Sequence, residues 1–349
     1  MNESPKLSVR PLVLGLKHVF RISHGASTER TNAVFELTVD GMGPFLGEAA
    51  LPPYYPHRME DIIDYADHLD WSSFKVHEPR AFLDHLPAGP SPARAAVDMA
   101  VHDAWGTALQ APLYHLFGLD VQHMQPSSYA LPIPEDLDDL DRQLDAVRHF
   151  PFLKLKIGSG NVDFDEAIVR RTREQYRGRL CVDVNAGWSL PDAARIIPKL
   201  ADCALEFVEQ PIAAQPIDDW HLLRRIMPDR STPLVADESV QDADSVIELA
   251  GAVDGINIKL AKCGGIRPAL DLVALARALD LRLMLGCMIE SSIALTAAAH
   301  IAPLFDWLDL DGPMHVAQDP YEGLSFDAGR IGLPDRPGLG VRPTTTPSS

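Results

Sequence analysis

The stretch "PFLKLKIG" (151–158) places two lysines, Lys154 and Lys156, two residues apart in an otherwise apolar run. In a strand, alternate side chains share a face, so both ammonium groups emerge on one side together with Phe152. Other short apolar runs also carry ionisable residues at or near their ends. These are Asp183 (with Asn185 on the same face) in "LCVDVNA", Glu209 in "LEFVEQP", Asp237 in "PLVADES", Lys259 in "GINIKL", and Asp309 and Asp311 in "WLDLDGP". Taken singly, each has a bland reading, as a solvated lysine or an aspartate capping a turn. Three carboxylates from separate strands, without thiolates or a histidine pair, instead make a hard oxygen site that suits Mg²⁺ and leaves positions open for substrate. A lysine works as a general base only if its pKa falls well below ~10.4. A neighbouring cation and a metal both push it down, and Lys154 is such a neighbour for Lys156. The chemistry this allows is abstraction of a proton α to a carboxylate, with the divalent ion stabilising the enediolate. A second lysine on the opposite face can return the proton with inverted configuration.

These residues need a scaffold that brings strand ends together. After Pro126 the runs "SYALPI", "LKLKI", "LCVDVNA", "LEFVEQP", "PLVADES", "GINIKL", "RLMLGCM" and "WLDLDGP" alternate with amphipathic segments such as 163–176, 191–202, 240–251, 265–279 and 291–302. Eight strand signals with helices between them predict a (β/α) barrel, whose chemistry sits where the strands end. Barrel strands are buried on both faces, so charges there compensate one another only by converging. "EDLDDLDRQLDAVRHF" is acidic, but leucines at 137, 140 and 144 predict a helix with a solvated face rather than a disordered segment. No clear barrel helix follows the last strand.

The first 125 residues read differently. "NAVFELTV" and "GPFLGEAAL" flank "DGMG", a hairpin turn signal. "SPARAAVDMAVHDAWGTALQ" predicts a helix with Ser91 as N-cap and Pro92 at the first helical position. The tail "RPGLGVRPTTTPSS" is rich in Pro and Thr and is expected to be mobile at its end.

With 349 residues the chain can bury a large core or two domains. Its net charge of −18 argues against a general phosphate-backbone binder. No run approaches the ~20 apolar residues a membrane helix needs, and "MNESPKLSVRPLVLG" is too polar for a signal-peptide core. Four dispersed cysteines without a CxxC pair predict reduced thiols. The expectation is a cytoplasmic protein handling a small molecule, a homo-oligomer with no nucleic-acid or membrane partner.

The ordered motifs "KLKIG", "DVNAGW", "VEQP", "ADES", "NIKLAKCGGI" and "MLGCMIE" resemble those of the enolase superfamily, specifically its muconate-lactonizing subgroup. The resemblance covers essentially the whole chain. It implies an α/β architecture: a modified (β/α)₇β TIM-like barrel over 126–319, with an α+β capping domain over 1–125 that the tail 320–349 completes. It further implies that Asp183, Glu209 and Asp237 bind one Mg²⁺ per subunit and that Lys156 and Lys259 are the acid/base catalysts. Lys154 would lower the pKa of Lys156 and touch the substrate carboxylate. Asn185, Glu238 and Lys262 fit support or helix-start roles. "DLDGP" is similar to the Asp-x-Asp signature of dipeptide epimerases, in which two carboxylates (here Asp309 and Asp311) hold the α-ammonium of the substrate. Cys287 and Ile289 match positions of backbone contact with the dipeptide.

One departure concerns the side chain of the second residue. In Ala-Glu epimerases a cap loop supplies an arginine for the distal carboxylate. In "FRISHGASTER" the matching residue is His24, with Arg21 and Arg30 nearby, and "PPYY" (52–55) adds aromatic surface. The second residue is thus open between glutamate and an apolar or aromatic side chain. An N-acylamino acid racemase, an o-succinylbenzoate synthase or a cycloisomerase would use the same scaffold without an ammonium, making Asp309 and Asp311 dispensable. A non-catalytic binding barrel would have no need of opposed lysines.

Overall fold

The structure, a computed structural model, describes residues 4–23 and 25–344. Three antiparallel strands open it: β1 (Lys6–Ile22), β2 (Gly25–Val39) and β3 (Met42–Ala49). The β2–β3 turn uses Asp40 and Gly41 at φ 49° and 76°, the left-handed pair that matches the twist of a tight hairpin. The register between β1 and β2 shifts between Gly15 and Phe20. Against this sheet packs the helix Ser91–Ala108, whose Ala93, Ala96, Val97, Ala100 and Ala104 face Ala33, Phe35 and Leu37 in one apolar cluster. Sheet and helix approach so closely that a Cβ on Gly47 would lie 1.9 Å from the Ala96 carbonyl oxygen. The helix begins one residue earlier than expected. Pro90 holds the N-cap position without a side-chain bond, Ser91 is helical, and Pro92 sits within the first turn.

Eight parallel strands follow: β4 (Tyr129–Leu131), β5 (Phe152–Lys156), β6 (Arg179–Asp183), β7 (Val208–Glu209), β8 (Leu234–Ala236), β9 (Gly255–Ile258), β10 (Arg282–Gly286) and β11 (Trp307–Asp309). They pair in chain order, and a parallel bridge from Ser127 to Leu308 brings the last strand back beside the first. Helices lie between successive strands, at Leu137–Val147, Val162–Gln175, Leu190–Ile196, Ile217–Ile226, Ala243–Leu249, Ile266–Ala278 and Ser292–Ala299. This is a (β/α)₇β barrel with a separate antiparallel capping sheet. The acidic segment forms the first of these helices and buries Leu140, Leu144 and Val147.

Cap and barrel share a core, because Leu12, Leu14, Val34, Leu46 and Met99 belong to the same buried cluster as the barrel–helix layer. Polar struts reinforce the contact. Asp98 of the cap helix accepts from Ile266 N (2.6 Å) and Arg267 N (3.2 Å), pairing amides at the start of a barrel helix that have no partner within it. Glu48 of β3 accepts from the backbone N and Oγ of Ser291 at 3.0 and 2.6 Å. The C-terminal segment returns to the cap helix, where Asp103 accepts from Leu339 N at 2.8 Å and from Leu46 N at 3.0 Å. Among the described residues, no helix is long and apolar enough to cross a membrane.

Candidate active site

Strand alternation sorts the barrel interior into levels. Phe152, Cys181, Phe207, Val235, Met284 and Trp307 form a fully buried apolar layer at the N-terminal end of the strands. Two residues further along the same strands, the inward positions become Lys154, Asp183, Glu209, Asp237 and Asp309. The charges noted in the sequence therefore do converge, at the C-terminal ends of β5 to β11.

Lys154 is wholly buried among three carboxylates. Its Nζ lies 3.0 Å from Asp183 Oδ2, 2.8 Å from Glu209 Oε2 and 2.7 Å from Asp309 Oδ2. Lys156 Nζ donates to Asp183 Oδ2 at 2.6 Å, and Lys259 Nζ donates to Asp237 Oδ2 at 2.6 Å. Three strands (β6, β7 and β8) separate the two lysines in an eight-strand barrel, so they stand on opposite sides of its mouth. Both line a cavity that Phe20, Ile22, Arg30 and Tyr54 of the cap cover. Asp309, Asp311, Cys287 and Ile289 line it as well, whereas Lys154 lies beneath its floor. The Ile289 carbonyl is already taken by Asn32 Nδ2 at 3.0 Å. Burial and the neighbouring Asp311 and Asp309 push the Cys287 thiol up, which keeps it protonated. His24 lies outside the described residues.

Electrostatics within the set follow from burial and neighbours. Burial opposes the charge on Asp183, but Lys154 and Lys156 outweigh it and hold the carboxyl down at about 2. Asp237 is lowered further by Lys259 and Lys262, against burial. Glu209 moves the other way, to about 8, because burial and the adjacent Asp183 both favour its neutral form. Burial and Lys154 push Lys156 toward neutrality, as the spacing implied, yet the contact with Asp183 leaves its pKa raised.

Asp183, Glu209 and Asp237 each offer a carboxylate oxygen within 4.8 Å of the others. Glu209 Oε2 is buried and faces only Lys154 Nζ, at 2.8 Å. Three buried carboxylates from separate strands, converging without a thiolate or imidazole among them, are the donor set a hard divalent cation requires. The residues present fit Mg²⁺.

The enolase C-terminal domain-like family model matches residues 139–346. The chain belongs to this family. It is 33% identical over 343 residues to the L-Ala-D/L-Glu epimerase of Bacteroides thetaiotaomicron, spanning 96% of this chain and 87% of that protein. It is 40% identical over 260 residues to the hydrophobic dipeptide epimerase of Roseobacter litoralis, spanning 72% of this chain and 74% of that protein. Its fold superposes with a TM-score of 0.86 on the Enterococcus faecalis dipeptide epimerase complexed with Mg and L-Leu-L-Tyr. That pair is 30% identical and covers 96% of this chain and 98% of the other.

In this enolase-family site several supports were not singled out from the sequence. Asn257 Nδ2 donates to Glu209 Oε1, and Ser128 Oγ donates to Asp309 Oδ1 at 2.6 Å. Gln210 sits at φ 38° directly after Glu209, and its Oε1 accepts from Asp237 N at 2.8 Å. Asn257 had a readable signal, since it stands two residues before Lys259 on the same strand face of an apolar run. Lys262 does act as a support, with Nζ 2.6 Å from Asp237 Oδ1 and 3.0 Å from the Asn257 carbonyl. Asn185 donates from Nδ2 to Glu238 Oε1 at 3.1 Å. Its carbonyl accepts from Ser23 Oγ at 2.7 Å, so the cap hairpin rests on the loop after β6.

Proposed function

We propose that the chain is a Mg²⁺-dependent dipeptide epimerase that inverts an α-carbon by moving a proton between two lysines. The observation that carries this reading is the placement of Lys156 and Lys259 on opposite sides of one cavity, each bonded to a different carboxylate of the acidic triad. A substrate α-carbon held between them presents its hydrogen to one lysine and its opposite face to the other. Proton removal by one and return by the other then inverts the centre. The dipeptide epimerases to which the chain is similar support the substrate class, one of them holding Mg and L-Leu-L-Tyr.

Each part of the site has a task in this reaction. Asp183, Glu209 and Asp237 would hold the cation. Bound there, it supplies positive charge to stabilise the developing carboxylate charge and to offset the Asp183 charge that keeps Lys156 protonated. Lys154 holds Asp183, Glu209 and Asp309 in place and lends positive potential to the floor. Asp311 offers an anionic contact for the substrate ammonium. Phe20, Ile22 and Tyr54 exclude water from above, which strengthens every charge interaction below them.

The test is incubation of Mg²⁺-replete protein with a dipeptide library in D₂O, read by NMR and mass spectrometry. Deuterium entering the α-carbon of at least one dipeptide, with formation of its epimer, is the expected result. No exchange with any dipeptide would sink the proposal.

A further inference from the structure

Asp309 and Asp311 are not equivalent. Asp309 is satisfied on both oxygens, with Oδ1 accepting from Ser128 and Oδ2 from Lys154 at 2.7 Å. Asp311 precedes the short turn Gly312–His315, yet its carboxylate does not bond the amides of that turn. Its Oδ2 accepts from Ala130 N at 2.6 Å and contacts His315 Nε2 at 2.8 Å. Burial would raise the Asp311 carboxyl, but His315 and the Ala130 amide outweigh it and bring it below its usual range. An ionised carboxylate only accepts, so the ring nitrogen facing it carries the hydrogen. Among the described residues Asp311 Oδ1 has no hydrogen-bond partner, and the residue lines the same cavity as Lys156 and Lys259.

The imidazole is itself held from two sides. Its ring meets Phe20 of β1 edge-on at 4.9 Å and Tyr129 of β4 at 5.2 Å, and its side chain is 11% exposed. One ring thus ties a cap strand, the first barrel strand and the aspartate after the last barrel strand. None of these contacts serves the metal triad or the lysines.

We propose that His315 is a positioning residue for recognition of a free amino terminus. With the Ala130 amide it occupies Asp311 Oδ2 and so presents Oδ1 to the α-ammonium of the dipeptide. The inference rests on the dipeptide reading above and adds the residue that makes one of the two aspartates available.

The experiment compares wild type with His315→Phe, which keeps a ring between Phe20 and Tyr129 but has no N–H, and with His315→Gln, which keeps an N–H donor. kcat and KM are measured by α-carbon exchange on a free-amino dipeptide, and the N-acetyl form of that dipeptide is assayed as a competitive inhibitor. The expected result is a KM about tenfold higher in His315→Phe, with kcat changed by less than about threefold. KM should return to near wild type in His315→Gln, and the inhibition constant of the N-acetyl compound should be the same in all three. An unchanged KM in His315→Phe, a loss confined to kcat, or an equal weakening of the N-acetyl inhibitor overturns the inference. If His315→Phe does not fold, His315→Gln decides alone, and a KM raised about tenfold there overturns it. A wild-type protein that exchanges no dipeptide removes the functional proposal and this inference together. An active wild type with an indifferent His315→Phe removes this inference only.

Discussion

Asn257 Nδ2 donates to Glu209 Oε1 at 2.7 Å, and the amide fits there because residue 286 on the neighbouring strand is glycine. A Cβ at Gly286 would stand 2.6 Å from Asn257 Oδ1. The pair fixes one oxygen of Glu209 and leaves the other turned inward. Replacing Asn257 with Ala, or Gly286 with Ala, is expected to weaken Mg²⁺ binding by roughly 10- to 100-fold, the range typical of partners that orient a metal ligand. Isothermal titration with Mg²⁺ checks this, and unchanged affinity in both variants would show that Glu209 needs no such orientation.

The opposed lysines make a paired prediction. Lys156→Ala and Lys259→Ala should each lower epimerisation by on the order of 10²–10⁴-fold, the usual contribution of a positioned acid or base. Exchange of the α-hydrogen, followed separately for the two epimers of one dipeptide, should fall unequally in the two variants because each lysine faces one side of the carbon. Equal turnover in wild type and either variant contradicts the two-base reading.

Arg30 is a buried cation on the inner face of β2, lining the cavity beside Tyr54. It bonds the Ser27 hydroxyl and the Glu29 carbonyl, but among the described residues no carboxylate pairs with it. Burial lowers its pKa, with Tyr54 opposing. A carboxylate on the second residue of the dipeptide would complete the pair. Arg30→Met is therefore expected to raise KM for dipeptides ending in Glu or Asp about tenfold more than for those ending in Leu. Parallel KM measurements on the two series decide it.

His300 gives a stability prediction away from the site. It is buried against the cap, its Nδ1 accepting from Tyr114 N at 3.2 Å and its Nε2 lying 3.1 Å from the Leu339 carbonyl. Burial holds its pKa down at about 4, against an ordinary 6.5. Below pH 6.5 the unfolded chain takes up a proton that the folded chain refuses, so stability is full above that pH and declines as pH falls toward 4. The loss amounts to about 3 kcal/mol. Chemical denaturation at pH 7.5 and pH 4.5 should show a smaller drop in His300→Gln, whose amide can accept and donate in the same directions.

Much of this molecule is legible in the chain itself. The barrel strands read clearly because six of the eight apolar runs carry a charged residue near their C-terminal ends, and the helices between them carry a single apolar stripe. Strand β1 was harder to delimit, since Pro11 and the register shift after Gly15 break its alternation. Ser128 and Gln210 resemble ordinary turn residues until the fold sets them beside Asp309 and Asp237. The sign of the shift at Lys156 also required coordinates. Sequence spacing shows that Lys154 is a neighbour, but only the β5–β6 register places Asp183 directly across from Lys156.

The apolar layer from Phe152 to Trp307 has a consequence for isotope experiments. It seals the shaft of the barrel just beneath Lys154, so water reaches the two amines from the cap side alone. A bound substrate occupies that entrance. A deuteron on a lysine is then retained for as long as the complex lasts, so under the two-base proposal the label in an inverted product comes from the opposite lysine as it stood when the substrate bound.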